Sequence, residues 1–381
     1  MDFAPTEEQT AARGLAARIF GDLSTHERLV EAGTGTDAEL WKELCTAGLP
    51  AAVEEIGLLG LVLLLEEQGR TTAQVPFAAS CVYGLLAVAG HGTDEQRERL
   101  LPPLRDGTAV ATGAFPARGG VRADGGGRLE ARLSGSVPYV PWLRDADLVV
   151  VAASDGDVGS DRDAGSDGDA GSDRDAGSAS EAGPDSGPGL WIVRTADTGV
   201  ATEPVETTAP WSAARLVLDR APAERLGGAG AYEALLAVSR TAFAGLQAGV
   251  CAGSLARAVA HTNAREQFGR PLSTKQAVLL RAADAHMDTE AIRVTAYEAA
   301  WRYDTGLPYG PQALTAAWWA SEAGKRVVHT GQHLHGGTGA DLDHPVHRHF
   351  LWGRQLDAHL GCGSEVLQEL GRLLVKGEVA E

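Results

Sequence analysis

From Ala231 to Ala264 the chain runs without a proline, with Leu235, Leu236, Phe243, Leu246, Val250 and Leu255 spaced among alanines. That stretch predicts one helix of about 50 Å, at about 1.5 Å per residue. Ser273-Thr-Lys-Gln276 has the form of a capping box opening a second helix that runs to about Asp304. Pro308 and Pro311 break the chain before a third helix over about 312–335, and a fourth covers about 350–376. Four long helices with short joints predict a four-helix bundle over 226–381.

The earlier chain has a different texture. Residues 1–108 read as an N-terminal helical domain, with helix starts at Thr6-Glu7-Glu8-Gln9, Asp37-Ala38-Glu39-Leu40 and Gly92-Thr93-Asp94-Glu95-Gln96. Residues 109–225 carry glycines and short apolar runs, with strands expected at Arg128–Ser134, Ala146–Ala153, Leu190–Val193 and Ala214–Leu218. The run after Asp147 is β-branched and reads as buried on both faces. The expected fold class is α+β, mainly α, with a small β-sandwich or barrel between two helical domains. Within the β region, 154–189 repeats a six-residue Ser-Asp-x-Asp-x-Gly unit. A calcium-binding solenoid needs large apolar residues to stack, and the repeat has none. It is expected to be a disordered acidic extension between two strands.

Composition excludes several classes. A chain of 381 residues exceeds one core. The net charge of −18 argues against a nucleic-acid partner. Much of it is local, because 154–189 holds ten acidic residues against Arg162 and Arg174. Cys45, Cys81, Cys251 and Cys362 are scattered without a CxxC pair, so neither a metal site nor a disulfide framework is expected. The richest apolar run, Ile56–Leu65, contains two glycines and is too short to span a membrane. No basic segment with a following apolar core opens the chain. A cytoplasmic protein is the expectation.

Two motifs carry chemistry. In Arg265-Glu-Gln267-Phe268-Gly-Arg-Pro271, an arginine offers bidentate contacts to phosphate, an aromatic offers a surface, and Gly269-Arg270-Pro271 forces a turn. In Gln332-His-Leu-His335-Gly336-Gly337-Thr-Gly339, glycines let the backbone approach a ligand with amides free to donate. Alone, each motif reads as a helix end. Together with Leu40-Trp41-x-Glu43-Leu44-x-x-Ala47-Gly48-Leu49, Leu65-Glu66-Glu67-x-Gly69-Arg70, Gly92–Gln96 and Pro345-Val346-x-Arg348, they resemble the acyl-CoA dehydrogenase family over most of the chain.

The resemblance implies FAD, an acyl thioester on CoA or an acyl carrier protein, electron-transfer flavoprotein or O₂ as acceptor, and a homodimer, homotetramer or heteromer. It implies that Arg265, Gln267 and Phe268 reach a partner subunit's FAD. Gln332, Gly336 and Gly337 would contact the adenosine end. Tyr139 would stack behind the isoalloxazine, and Glu365 matches a residue that touches the adenosine. Catalysis departs from the pattern. The family's base is a glutamate that abstracts the α-proton while flavin N5 takes the β-hydride. Its two usual positions hold Gly361 (or Leu360, depending on alignment) and Ser239. Glu365 is a weak candidate for a relocated base, and Asp357, His359 and His335 are the other titratable groups nearby. The flavin-contacting segments also differ: Ala114-Phe115-Pro116 and Tyr139-Val-Pro141-Trp-Leu143, where Pro141 has neither a hydroxyl nor an N–H. Three activities follow as alternatives: a thioester dehydrogenase with a relocated base, the base-free subunit of a heteromeric dehydrogenase of the steroid-degrading type, or a monooxygenase on the same scaffold.

Overall fold

A computed structural model of the protein describes residues 3–117, 120–125, 129–155 and 187–376; most of the acidic repeat therefore lies outside the described residues. The first helices begin where side chains take over the orphan amides of their first turns. Thr6 and Gln9 form a capping box on α1 (Glu7–Leu23), Thr25 caps α2 (His26–Ala32), and Asp37 caps α3 (Ala38–Thr46). The long α4 (Leu49–Thr71) breaks at Gly57, where φ is +71°. Its second half is started by a distant carboxylate: Asp304 accepts from Leu58 N–H at 2.7 Å and Leu59 N–H at 2.9 Å. A π-helical stretch, Ser80–Leu86, joins α5 (Phe77–Ala79) to α6 (Ala87–His91), and Thr93 and Gln96 box the start of α7 (Asp94–Arg105).

The β region closes on itself. β1 (Ala111–Ala114), β2 (Val121–Asp124), β3 (Glu130–Val140), β4 (Leu148–Asp155), β5 (Gly189–Arg194), β6 (Val200–Pro204) and β7 (Ala214–Leu226) form one sheet. β4 pairs with β2, β2 with β3, β3 with β7, β7 with β5, and β5 with β4 again, so five strands make a ring. β1 lies parallel on β4, and β6 extends β7. Alternate residues of β4 serve two cores: Val149, Val151 and Ala153 point into the barrel, while Leu148, Val150 and Ala152 face the helices. The expected burial on both faces is what this strand has. β1, β2 and β6 escaped the sequence reading. They are only four or five residues long, and β6 is almost wholly exposed, so no apolar alternation marks it. Ala153 faces Gly189, which brings the two ends of the acidic repeat side by side.

The C-terminal part comprises α8 (Ala231–Ala264), a small hairpin of β8 (Glu266–Gln267) and β9 (Arg270–Pro271), α9 (Gln276–Asp304), α10 (Gly310–His335), α11 (Pro345–His359) and α12 (Gly363–Lys376). Two sequence expectations need correction. The helix expected over 350–376 is two helices, broken at Leu360–Cys362, where Gly361 takes φ +109° and Ser321 Oγ receives the Gly363 amide at 2.9 Å. The capping box expected at Ser273 is not formed. Leu272–Thr274 is a 3₁₀ turn, Thr274 Oγ1 donates back to the Pro271 carbonyl at 2.8 Å, and Lys275 at the N-cap makes no side-chain cap bond. The apolar runs also differ from their reading in one respect: α8 is long and apolar enough to cross a membrane by length and composition. However, 89% of its apolar window is buried inside the protein, which is how the core helix of a folded bundle behaves.

α8 is central because glycines let two helices approach it at backbone distance. A Cβ at Gly249 would stand 2.1 Å from the Glu66 carbonyl oxygen, one at Gly253 2.3 Å from that of Arg70, and one at Gly69 2.2 Å from that of Leu246. On the opposite side, a Cβ at Gly324 or Gly331 of α10 would strike Gln247 or Ser254. Gln247 itself is fully buried and donates to the carbonyls of Ala320 and Gly353 at 3.2 Å each, tying α8 to α10 and α11. Glu66, also fully buried, pairs with Arg13 of α1 at 3.4 Å and Arg293 of α9 at 3.1 Å. Burial raises its carboxyl above the ordinary range, and the two arginines oppose that shift.

Two predictions follow from this packing. Gly249→Ala is expected to cost about 3 kcal/mol or more, because backbone on both sides cannot yield. Gly14→Ala on α1, where nothing lies within 4 Å, should gain roughly 0.5–1 kcal/mol from helix propensity. Urea unfolding of the two variants beside the parent checks both. His349 sets a pH dependence. It is buried with Nε2 3.0 Å from the Arg70 carbonyl, and burial, reinforced by Arg257 and Arg348, pushes its imidazole down to about 4. An unfolded histidine titrates near about 6.5, so the unfolded state binds the extra proton first. Its contribution to stability should therefore decline as pH falls from about 6.5 to about 4, by up to roughly 3 kcal/mol, and level off below that. His349→Gln should flatten that slope in unfolding curves recorded across the same range.

Candidate functional site

At the far end of α8 the two sequence motifs come together. Arg265 is the C-cap of α8, and the chain turns back through the β8–β9 hairpin with Phe268 and Gly269 at positive φ. The Arg265 carbonyl accepts the Leu272 amide at 2.9 Å, closing the loop. Arg265 and Gln267 are exposed, and the Phe268 ring is 92% exposed with the Lys275 ammonium 4.7 Å from its centroid. An aromatic displayed this way packs no core of its own and offers a surface to something else. Gln332 is half-buried in the last turn of α10, and Gly336, at φ +63°, ends that helix. Nothing lies within 4 Å of where a Cβ at Gly336 or Gly337 would stand, whereas one at Gly339 would meet the Gln332 carbonyl at 2.3 Å. Gly339 is required by packing, while Gly336 and Gly337 leave open backbone. The rings of His261, one turn before Arg265, and His335, next to Gly336, stack at 4.6 Å and so hold the two motifs together. Exposed arginine, exposed aromatic and open glycine backbone fit the pyrophosphate and adenosine of a dinucleotide.

At the other end of α8 the arrangement is closed. His359, the last residue of α11, packs edge-on against Phe243 of α8 at 4.6 Å, Trp211 at 5.9 Å and Tyr139 of β3 at 6.3 Å. Trp211 in turn contacts Trp142 and Trp352. A second row runs Tyr232–Phe115–Tyr83, with stacked rings 5.5 and 5.1 Å apart. Tyr139 is thus brought to the face expected for it, but its neighbours are the protein's own rings. Burial drives the Tyr83 and Tyr139 phenols well above their ordinary range, so neither ionises near neutrality. The carbonyl of Pro141 accepts Thr112 Oγ1 at 2.5 Å inside the barrel, and proline has no N–H to offer. Pro141 itself therefore gives flavin N5 no donor, and the rings of Tyr139, Phe243, Trp211 and His359 fill this end of the protein.

Both base positions are structurally committed. Ser239 is fully buried, and its Oγ donates to the Leu235 carbonyl at 2.7 Å. Arg240 beside it holds Glu369 through two bonds of 2.8 and 2.7 Å and donates to the Leu360 carbonyl at 3.4 Å. That contact clamps the α11–α12 turn onto α8. At Gly361 a Cβ would stand 3.3 Å from Val366 and 3.6 Å from Glu365 Oε2. Glu365 is exposed, and its carboxylate accepts the Cys362 amide at 3.1 Å in the first turn of α12. Asp357 accepts Ser321 Oγ at 2.7 Å and pairs with Arg354 at 3.0 Å. Trp211 and His261 were not singled out from sequence, and Phe243 only as an apolar position of α8. Their ring partners lie far off in the chain on other elements, which hid them.

Known proteins share this fold. Residues 6–108 match the family model described as acyl-CoA dehydrogenase, N-terminal domain, and residues 227–368 match acyl-CoA dehydrogenase, C-terminal domain. Acyl-CoA dehydrogenase FadE27 of Mycobacterium tuberculosis is 33% identical, over 99% of this chain and 99% of that protein. The structure of the Tcur3481-Tcur3483 steroid ACAD G363A variant is 40% identical with a TM-score of 0.86, covering 98% of this chain and 99% of that one. The ChsE4-ChsE5 complex from Mycobacterium tuberculosis is 31% identical with a TM-score of 0.86 over the full length of both chains. The butyryl-CoA dehydrogenase of Megasphaera elsdenii, at 23% identity and a TM-score of 0.82, has the same fold. In sequence and in architecture this chain belongs to the acyl-CoA dehydrogenase family.

Proposed function

We propose that this chain is the base-free subunit of a heteromeric, FAD-dependent acyl-CoA dehydrogenase. It would hold the adenosine half of a flavin whose ring lies against a glutamate-bearing partner. The observation that carries this is the contrast between the ends of α8: an open, exposed dinucleotide grip at Arg265, Phe268 and Gly336–Gly337, and a ring-filled cleft at Tyr139, Phe243 and His359 with no carboxylate at Ser239, Leu360 or Gly361. The family's FAD, when bound, supplies the acceptor for the substrate hydride. This chain's part is to supply positive charge at Arg265, an aromatic face at Phe268, and backbone that lets phosphate approach. The α-proton would go to a carboxylate of the partner, because Ser239, Leu360 and Gly361 offer none.

The substrate class rests on relatives. A steroid ACAD at 40% identity supports a steroid acyl thioester of CoA, and the ChsE4-ChsE5 complex, at 31% identity, supports a heteromer. The free cysteines suit a reducing compartment such as the cytoplasm. A self-sufficient dehydrogenase using Glu365, an acyl-carrier substrate and a monooxygenase have no comparable observation behind them.

Expressed alone, the chain should be colourless. Co-purified with a glutamate-bearing family member, it should bring one FAD per pair, bleached by a steroid acyl-CoA. Arg265→Ala in the pair should weaken FAD by about tenfold or more, the loss of one charge-assisted phosphate contact. Ser239→Ala should leave turnover unchanged. Gly361→Glu in the isolated chain should give no dehydrogenase activity, since φ +109° is strained for glutamate and the isolated chain holds no flavin. A yellow homomer bleached by acyl-CoA would overturn the proposal.

A further inference from the structure

Three imidazoles from three elements meet beside the dinucleotide grip. His261, in the last turn of α8, stacks on His335 of α10 with ring centroids 4.6 Å apart and planes inclined by 29°. His335 faces His344, the N-cap of α11, at 5.1 Å. Hydrogen bonds fix the protons of two of these rings. His335 Nδ1 lies 2.7 Å from the Gly331 carbonyl, so that nitrogen carries its hydrogen. His344 Nδ1 accepts the Val346 amide at 3.2 Å, so it stays bare while the cap persists. His261, or His335 at Nε2, can gain a proton without breaking a described hydrogen bond, and His261 is the more exposed of the two.

The surrounding charge is mostly positive. Arg265, the C-cap of α8, acts on His261, Arg257 of α8 acts on His344, and Asp341, ahead of α11, is the opposing carboxylate. Burial, His335 and Arg265 together hold the His261 imidazole below its ordinary range, and His344 is lowered likewise. An anion placed beside Arg265 would reverse that field. His261 is half-exposed, one helical turn from Arg265, whereas His335 is buried behind it at 6% exposure.

We propose that His261 is an additional contact for the dinucleotide pyrophosphate, and that it takes up one proton from solvent when that anion binds. His335 is a positioning residue that holds its ring in the stack. The inference rests on the adenosine-end reading above. Physically, the pyrophosphate neutralises Arg265 and offers an acceptor, so the imidazolium becomes the favoured form in the bound state. Binding then tightens as pH falls, by up to about tenfold per unit for one fully linked proton.

The test titrates the full-length chain, paired with its glutamate-bearing partner and stripped of FAD, with ADP, following histidine ring protons by NMR and heat in two buffers of different ionisation enthalpy. For the parent chain, affinity should rise as pH is lowered from about 8 to about 6, with net proton uptake per ADP. His261→Gln should abolish the uptake and flatten the pH dependence. His335→Gln should diminish both while ADP still binds, and adenosine without phosphate should leave the His261 signals in place. ADP binding that is lost in Arg265→Ala but pH-flat in the parent, beyond the titration of ADP itself, overturns this inference and spares the adenosine-end reading. ADP binding that is absent, or indifferent to Arg265→Ala, overturns both.

Discussion

Everything in this molecule leans on the contact between α4 and α8, where carbonyl oxygens of one helix occupy the space that side chains of the other would need. Gly245, Gly249 and Gly253 recur every fourth residue on α8 and meet Val62, Glu66 and Arg70, which recur every fourth residue on α4. Gly69 returns the favour from the α4 side. At that separation the two helices behave as one rigid body, because close-packed interiors transmit displacement instead of absorbing it. Gln247 then hangs α10 and α11 on the same rod through two backbone carbonyls.

A rigid rod with two ends can separate two tasks. The N-terminal half of α8 faces the barrel and the α11–α12 turn, and in this chain it is packed with rings and clamped by Arg240. The C-terminal end points away from the core and carries Arg265 and the exposed Phe268 loop. A change at one end therefore need not disturb the other. The Arg240–Glu369 pair and the Leu360 carbonyl contact stabilise the turn that holds Gly361.

How much was legible beforehand follows from how local each determinant is. Helix starts at Thr6, Asp37 and Thr93 were readable because a cap is a matter of three or four neighbouring residues. α8 was readable from thirty-odd residues without proline, and the dinucleotide grip from two short motifs. The break at Gly361 was missed because it depends on Ser321, Arg240 and Leu360, which the chain brings together from three helices. The Ser273 capping box failed because Leu272–Thr274 close as a 3₁₀ turn, which moves the N-cap of α9 to Lys275. Barrel closure was invisible for the same reason: β4 meets both β2 and β5 only after every strand is in place. The aromatic packing around His359 joins residues from β3, α8 and α11, and no window of sequence contains it.

The break in α4 at Gly57 has a bearing on how the chain is put together. The amides of Leu58 and Leu59 begin a new helical segment, and their acceptor is Asp304, 246 and 245 residues further along. As the chain emerges in order, the helix that forms the spine of the N-terminal part has a middle without its carboxylate until α9 is complete. A fragment ending before Asp304 would carry two buried donors seeking a partner at the centre of its longest helix. The helix start at the middle of the N-terminal part is thus completed by a carboxylate of the C-terminal bundle, so the two parts share one element across their boundary.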